Sequence, residues 1–178
     1  LSAVALATLA ACGKKEEAPA AAPAPAAAPA ADKLKIGFMY VSPIGDGGWT
    51  YQHELGRKAI QEKFGDRIET SFVESVPESA DAERVMRDMA GQGNKLIFAT
   101  SFGYQEFVQK VAADLKDVKF EHATGYKQAD NVATYDTKTF EGAYLAGIVA
   151  GGMSKTKTVG VVASVPIPEV VRNINSFV

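Results

Sequence analysis

Short apolar runs alternate with stretches of helical period along most of the chain. Residues 34–41 (LKIGFMYV) form an apolar, β-rich run of strand length. A turn-forming segment, Ser42-Pro43-Ile44-Gly45-Asp46-Gly47-Gly48, separates it from a helical pattern over residues 49–64. Residues 68–73 read as a second strand. Ser79 then stands as an N-cap before Ala82, Val85, Met86, Met89 and Ala90, which share one helical face, and Gly91 and Gly93 end that helix. Residues 95–100 (KLIFAT) give a third strand, followed by a helix with Phe107, Val111, Ala112 and Leu115 on one side. Residues 118–123 give a fourth strand, carrying His122, and residues 132–135 a short fifth. The next helix places Phe140, Ala143, Tyr144, Gly147, Ile148 and Gly151 on one face. A glycine inside a helix costs about 1 kcal/mol relative to alanine, so this face is expected to lie close against a sheet or another helix. Residues 158–164 read as a further strand, and a last helix starts at Pro168.

Strands that alternate with helices predict an α/β fold with a mostly parallel, doubly wound sheet. In such a sheet the segments after the strands collect along one edge, where open α/β proteins bind ligands. Those segments are residues 42–49, 74–79, 101–104, 124–126, 135–136 and 164–168. They are rich in aromatic and hydroxyl side chains, with Asp46 and Asp136 as the evident acids.

Composition changes this picture mainly at the start of the chain. The 178 residues are 47% hydrophobic with a net charge of −2, a balance that fits about one domain and gives no sign of nucleic-acid binding. Residues 1–11 read as the tail of an apolar signal segment, ending in Leu9-Ala10-Ala11 before Cys12. Small residues ahead of a lone cysteine are the pattern of a bacterial lipoprotein cleavage site, and such a segment stays outside the fold. Cys12 is then the lipidated first residue of the mature chain. As the single cysteine it excludes an intrachain disulfide and a cysteine metal cluster. Residues 12–33 are rich in alanine and proline, a composition that favours extended polyproline II over a packed core, and so a tether. The absence of a starting methionine and the helical pattern at the last residues suggest a piece of a longer protein.

Candidate chemistry centres on the loop after the first strand. Trp49, the only tryptophan, stands at its mouth beside Asp46. A flat apolar face next to one carboxylate suits a flat molecule with polar edges, such as a nucleobase. The alternative is that Trp49 only caps the core at the helix start. The glycines lack the spacings of a phosphate-binding loop or a dinucleotide fingerprint, and no G-x-S-x-G elbow occurs. His53 and His122 lie in different units without metal-ligand spacing. His53 is expected on a solvated helix face and His122 in a strand facing a neighbour. No metal or cofactor is expected, and binding is favoured over catalysis.

Four stretches, in order, carry a resemblance: IGFMYVSPIGDGGWTYQHELGRKA, NKLIFATSFGYQEF, KFEHATGYKQADNVATYDTKTFEGAYLAG and ASVPIPEVVRNINSF. From residue 35 to 178 the chain resembles the basic membrane lipoprotein family, substrate-binding proteins of ABC importers akin to purine nucleoside receptors. The resemblance implies a type I periplasmic binding protein fold, with two α/β lobes closing on a ligand. Residues 34–135 would be lobe one, and residues 136–178 the crossover and the start of lobe two. Trp49 falls where the family has an aromatic residue that stacks on the purine, and Glu141-Gly142 match the pair that opens the crossing helix. The strand-end segments and the match together give a candidate ligand-binding set of Asp46, Gly48, Trp49, Thr50, Ser101, Phe102, Thr124, Tyr126 and Asp136. Thr124 stands where nucleoside-binding relatives tend to carry aspartate, which leaves room for a free base.

The function so implied is a monomeric receptor, lipid-anchored on the periplasmic side of a bacterial envelope. It would capture a purine base or nucleoside, adenine-type foremost, and hand it to ABC permease and ATPase subunits. The alternatives are a sensor or regulatory lipoprotein of the same fold, or a receptor for another flat aromatic ligand such as riboflavin.

Overall fold

The computed structural model describes residues 32–178. The signal segment, Cys12 and all but the last two residues of the tether lie outside the described residues. Five strands, β1 (Leu34–Met39), β2 (Ile68–Val73), β3 (Leu96–Ala99), β4 (Lys119–Ala123) and β5 (Val132–Tyr135), form one sheet in the order β2-β1-β3-β4-β5. Every pairing is parallel. The helices are α1 (Gly48–Phe64), α2 (Ala80–Gly91), α3 (Gln105–Asp114), α4 (Thr139–Met153) and α5 (Pro168–Phe177). The winding direction reverses between β1 and β3, so the loops after these two strands diverge and leave a crevice at the switch point.

Side chains alternate across a strand, and here both faces are apolar. Met39, Ile97, Ala99, Phe120 and Val132 join Val85, Met86 and Met89 of α2 and Val108 and Val111 of α3 in the larger core. Ile36, Phe38, Tyr40 and Ile68 face the other way, toward Ile60 of α1. Gly37 lets α2 settle on β1, since a Cβ there would stand 2.9 Å from the Met89 sulfur. The Ser79 side chain caps α2 by accepting from the Asp81 N–H at 3.3 Å. Asn131 locks the end of α3 to β4, its amide donating to the carbonyls of Ala112, Leu115 and Val118 at 3.0–3.1 Å.

Helix α1 is attached differently. Its buried residues are Thr50 and Glu54. Glu54 accepts from the Tyr40 hydroxyl at 3.0 Å and from Arg57 at 2.6 and 2.7 Å, while Arg57 also donates to Thr70 of β2. The Arg57 guanidinium holds the Glu54 carboxyl below its usual range, with the Tyr40 hydroxyl adding to the effect against the opposing influence of burial. A buried carboxylate requires such partners.

Two expectations are corrected, and one that left sheet or helix open is decided. Residues 158–164 are not a strand and pair with none of the five, and Val162 is fully exposed. An apolar run becomes a strand only where a neighbour offers backbone groups, and this segment instead runs beside α4 and α5. The small-residue face of α4 approaches another helix rather than the sheet: a Cβ at Gly147 would collide with the Phe177 carbonyl of α5, whereas Gly151 has open space. His53 is half-buried against Trp49 and Tyr135 rather than solvated. Among the described residues no helix is long and apolar enough to cross a membrane.

Candidate functional site

The loop between β1 and α1 turns through Gly45 and Gly48, whose φ angles of 60° and 89° lie in the left-handed region. A 2.7 Å hydrogen bond between the Ser42 and Thr50 hydroxyls closes its ends. The Ile44 N–H donates to Glu74 at 2.6 Å and ties the loop to the segment after β2. This geometry delivers Trp49 to the carboxyl ends of β1 and β3. Its indole N–H donates to the Thr100 carbonyl at 2.6 Å. Thr100 is itself buried and donates through its hydroxyl to Met39 at 2.7 Å. Beneath the indole, the His53 Nδ1–H donates to the Trp49 carbonyl at 2.9 Å, with ring centres 4.8 Å apart. Burial pushes the His53 imidazole below its ordinary pKa.

Beside Trp49 lies the turn after β3. Ser101 Oγ donates to Glu78 Oε1 at 2.5 Å, and the Gly103 N–H donates to the same oxygen at 2.9 Å. His122, fully buried on β4, places Nε2 2.7 Å from the Ser101 carbonyl. A carbonyl only accepts, so Nε2 carries the proton and Nδ1 is bare. That nitrogen has no partner among the described residues, and burial holds the imidazole below its ordinary pKa. Tyr104 closes the base of the turn by donating to the Val76 carbonyl at 2.6 Å.

Together these segments border a cleft of about 420 Å³. Val41, Trp49, Glu78, Ser101, Phe102 and Thr124 line one side, and Val165, Ile167 and Glu169 the other. It combines aromatic and aliphatic sides with hydroxyl groups and the carboxylates of Glu78 and Glu169, a mixture that suits a small molecule with both flat apolar faces and polar edges. A separate groove of about 310 Å³ on the α1 side of the sheet, lined by Phe38, His53, Ile60, Phe98 and Tyr135, is almost wholly apolar.

Of the residues nominated from sequence, Trp49, Ser101, Phe102 and Thr124 meet in the cleft. Thr124 adopts a left-handed φ of 58°, and its hydroxyl donates to the Ala123 carbonyl. Asp46 and Gly48 are exposed on the loop leading to Trp49 and do not line the cleft. Thr50 is buried with its hydroxyl on Ser42. Tyr126 is largely exposed, its ring tilted over Phe102 at 6.0 Å. Asp136 is held away from the cleft by Arg172 at 2.6 Å. Glu78 was not singled out. Its one sequence signal is membership of the post-strand segment 74–79.

A parallel five-stranded sheet with a cleft at its switch point is the arrangement in which open α/β folds bind ligands. A solved ABC transporter solute-binding protein from Aeropyrum pernix shares this fold, with a TM-score of 0.68 and 27% identity over 81% of this chain and 41% of that one. The family profile described as "ABC transporter substrate-binding protein PnrA-like" matches residues 33–178, and the chain belongs to that family. The chain is 55% identical to a purine-binding protein of Brucella abortus over 83% of its own length and 42% of the relative's. It is 42% identical to a putative ABC transporter glucose-binding protein of Haloferax volcanii over 82% of its own length and 37% of the relative's. The chain therefore spans about two fifths of the length of these curated relatives.

Proposed function

We propose that this protein is the receptor of an ABC importer and captures a purine base or nucleoside, adenine-type foremost, for delivery to the permease. The observation that carries the reading is the fixed indole of Trp49. Its N–H is engaged by Thr100, so the ring stands as a rigid aromatic wall of a cleft at the carboxyl ends of β1 and β3. Flat heterocycles stack on such a wall. Family membership and the purine-binding name of the Brucella relative support the same reading. Ser101, Phe102 and Thr124 are the further contacts we assign to this lobe. Residues 34–135 form lobe one in this reading, residues 136–178 lead into lobe two, and closure of the two completes the site. The envelope location follows from the family's role outside the cytoplasm, with residues 1–11 as signal segment, Cys12 as the lipidated residue and residues 12–33 as tether.

Calorimetric titration of the full-length protein with adenine, guanine, adenosine, guanosine, riboflavin and glucose tests the ligand. Binding of an adenine-type ligand tightest, with no heat from glucose, is the expected result. Glucose binding in preference to every heterocycle would sink the purine assignment and bring the protein nearer its Haloferax relative.

A further inference from the structure

The two carboxylates lining the cleft differ in what they already do. Glu169 has a single donor near it among the described residues, the Thr139 hydroxyl at 3.1 Å, which lies equally close to Asn173 Oδ1, so no pair of donors fixes this carboxylate. In Glu78 both protein donors converge on one oxygen: Oε1 takes the Ser101 hydroxyl at 2.5 Å and the Gly103 N–H at 2.9 Å. Ser101 is held from behind, since its carbonyl accepts from the buried His122 at 2.7 Å. Gly103 carries no side chain, and a Cβ there would collide with the Glu78 carboxyl group, which lies directly over the turn. Glu78 Oε2 has no hydrogen-bond donor among the described residues. An ionised carboxylate is an acceptor only. The turn thus holds an exposed carboxylate, one of whose oxygens has no protein donor, on the same side of the cleft as the Trp49 ring.

We infer that Glu78 determines specificity in this cleft, its Oε2 accepting one N–H donor from the edge of a flat heterocycle stacked on Trp49. The inference rests on the purine reading of the same site. A free purine offers such a donor as an exocyclic amine or as the ring N9–H. A ligand that shows only acceptors on that edge sets lone pairs against lone pairs and is rejected. His122 acts through Ser101 as a positioning residue.

The test is a cycle of variant against ligand in the full-length protein. Wild type and Glu78→Gln are titrated calorimetrically with adenine, with purine, which lacks the amine, and with 9-methyladenine, which lacks the N9–H. Glutamine can keep its carbonyl toward Ser101 and Gly103 while replacing Oε2 with a donor. Glu78→Gln should weaken adenine by on the order of tenfold to a hundredfold, the range of a hydrogen bond to a charged group. The analogue that lacks the recognised donor should change by less than about threefold, because the bond it would lose is already gone. Should Glu78→Gln not fold, Glu78→Asp carries the same comparison by drawing the acceptor back one methylene. Equal changes for all three ligands would overturn the assignment of Glu78 while leaving purine binding intact. Failure of the wild type to bind any of the three would overturn the purine reading, and this inference with it.

Discussion

Trp49 and Thr100, the first at the start of α1 and the second just past the end of β3, are joined by a 2.6 Å hydrogen bond from indole N–H to carbonyl oxygen. The two segments that part at the switch point of the sheet are thereby stitched together by the side chain that also walls the cleft. In the proposed function packing and recognition share this one residue, and substitution can separate them.

Trp49→Phe keeps a ring but leaves the Thr100 carbonyl without its donor. It should lower stability by about 1 kcal/mol, a typical net hydrogen bond, and retain most ligand affinity. Trp49→Ala should in addition weaken binding by about 1–3 kcal/mol, by analogy with base–aromatic stacking. Melting temperature and calorimetric affinity, measured on the same full-length samples, separate the effects. Unchanged affinity in Trp49→Ala would reduce the indole to a core cap.

Glu54 and Arg57 anchor α1 through a buried ion pair at 2.6 Å. Removing one partner strands the other, and Glu54→Ala is expected to destabilise by about 3–5 kcal/mol in urea titrations. The carboxyl pKa is lower in the folded chain than the ordinary 4.5. Its contribution is therefore complete above that value and is lost as pH falls through the folded pKa. Glu54→Gln should flatten the acid limb of the stability profile, and an unaltered limb would contradict the pairing.

His122 and His53 are both held below their ordinary pKa of 6.5 by burial. A depressed folded pKa means that the unfolded chain takes up protons first. Stability from these groups is complete above 6.5 and declines as pH falls toward the folded values. His122→Gln can still donate to the Ser101 carbonyl but does not titrate. Combined with His53→Gln, it should remove most of the slope in urea midpoint between about pH 7 and pH 5. A persisting slope would place the titration elsewhere.

Gly147 and Gly151 share a face of α4 yet should respond in opposite directions. Gly147→Ala pushes a methyl group into the Phe177 carbonyl and must displace α5. Gly151 meets open space, so Gly151→Ala should stabilise by up to about 1 kcal/mol through helix propensity alone. Melting curves of the two variants decide this, and equal shifts of the same sign would show that the α4–α5 approach does not govern them.

The sheet was legible chiefly through β1 and β3, central strands that read as short, mainly apolar runs between turn residues, whereas the edge strand β2 (IETSFV) is exposed over most of its length. The α2 face was legible as well: Ala82, Val85, Met86 and Met89, picked out by period, are buried in the core. The resemblance led to the family to which the chain belongs. The site was legible only in part. Residue type and position after a strand brought out Trp49, Ser101, Phe102 and Thr124, all of which line the cleft. The same criteria also selected Thr50 and Asp136, whose polar atoms are taken up by Ser42 and Arg172.

What the sequence by itself determined is therefore the local and periodic part: five strands, five helices, the faces by which α2 and α3 pack on the sheet, and the turn that delivers Trp49. Tertiary structure alone decided which apolar run found a ladder partner. Residues 158–164 have strand composition but no neighbouring strand, because pairing depends on a second segment distant in the chain. It also decided which polar groups were already satisfied. Glu54 lies against Tyr40, fourteen residues away, and Glu78 against Ser101 and Gly103, twenty-three and twenty-five residues away. Hydrogen bonds at such separations leave no periodic trace, since they follow from how the strand ends converge and not from any repeat along the chain.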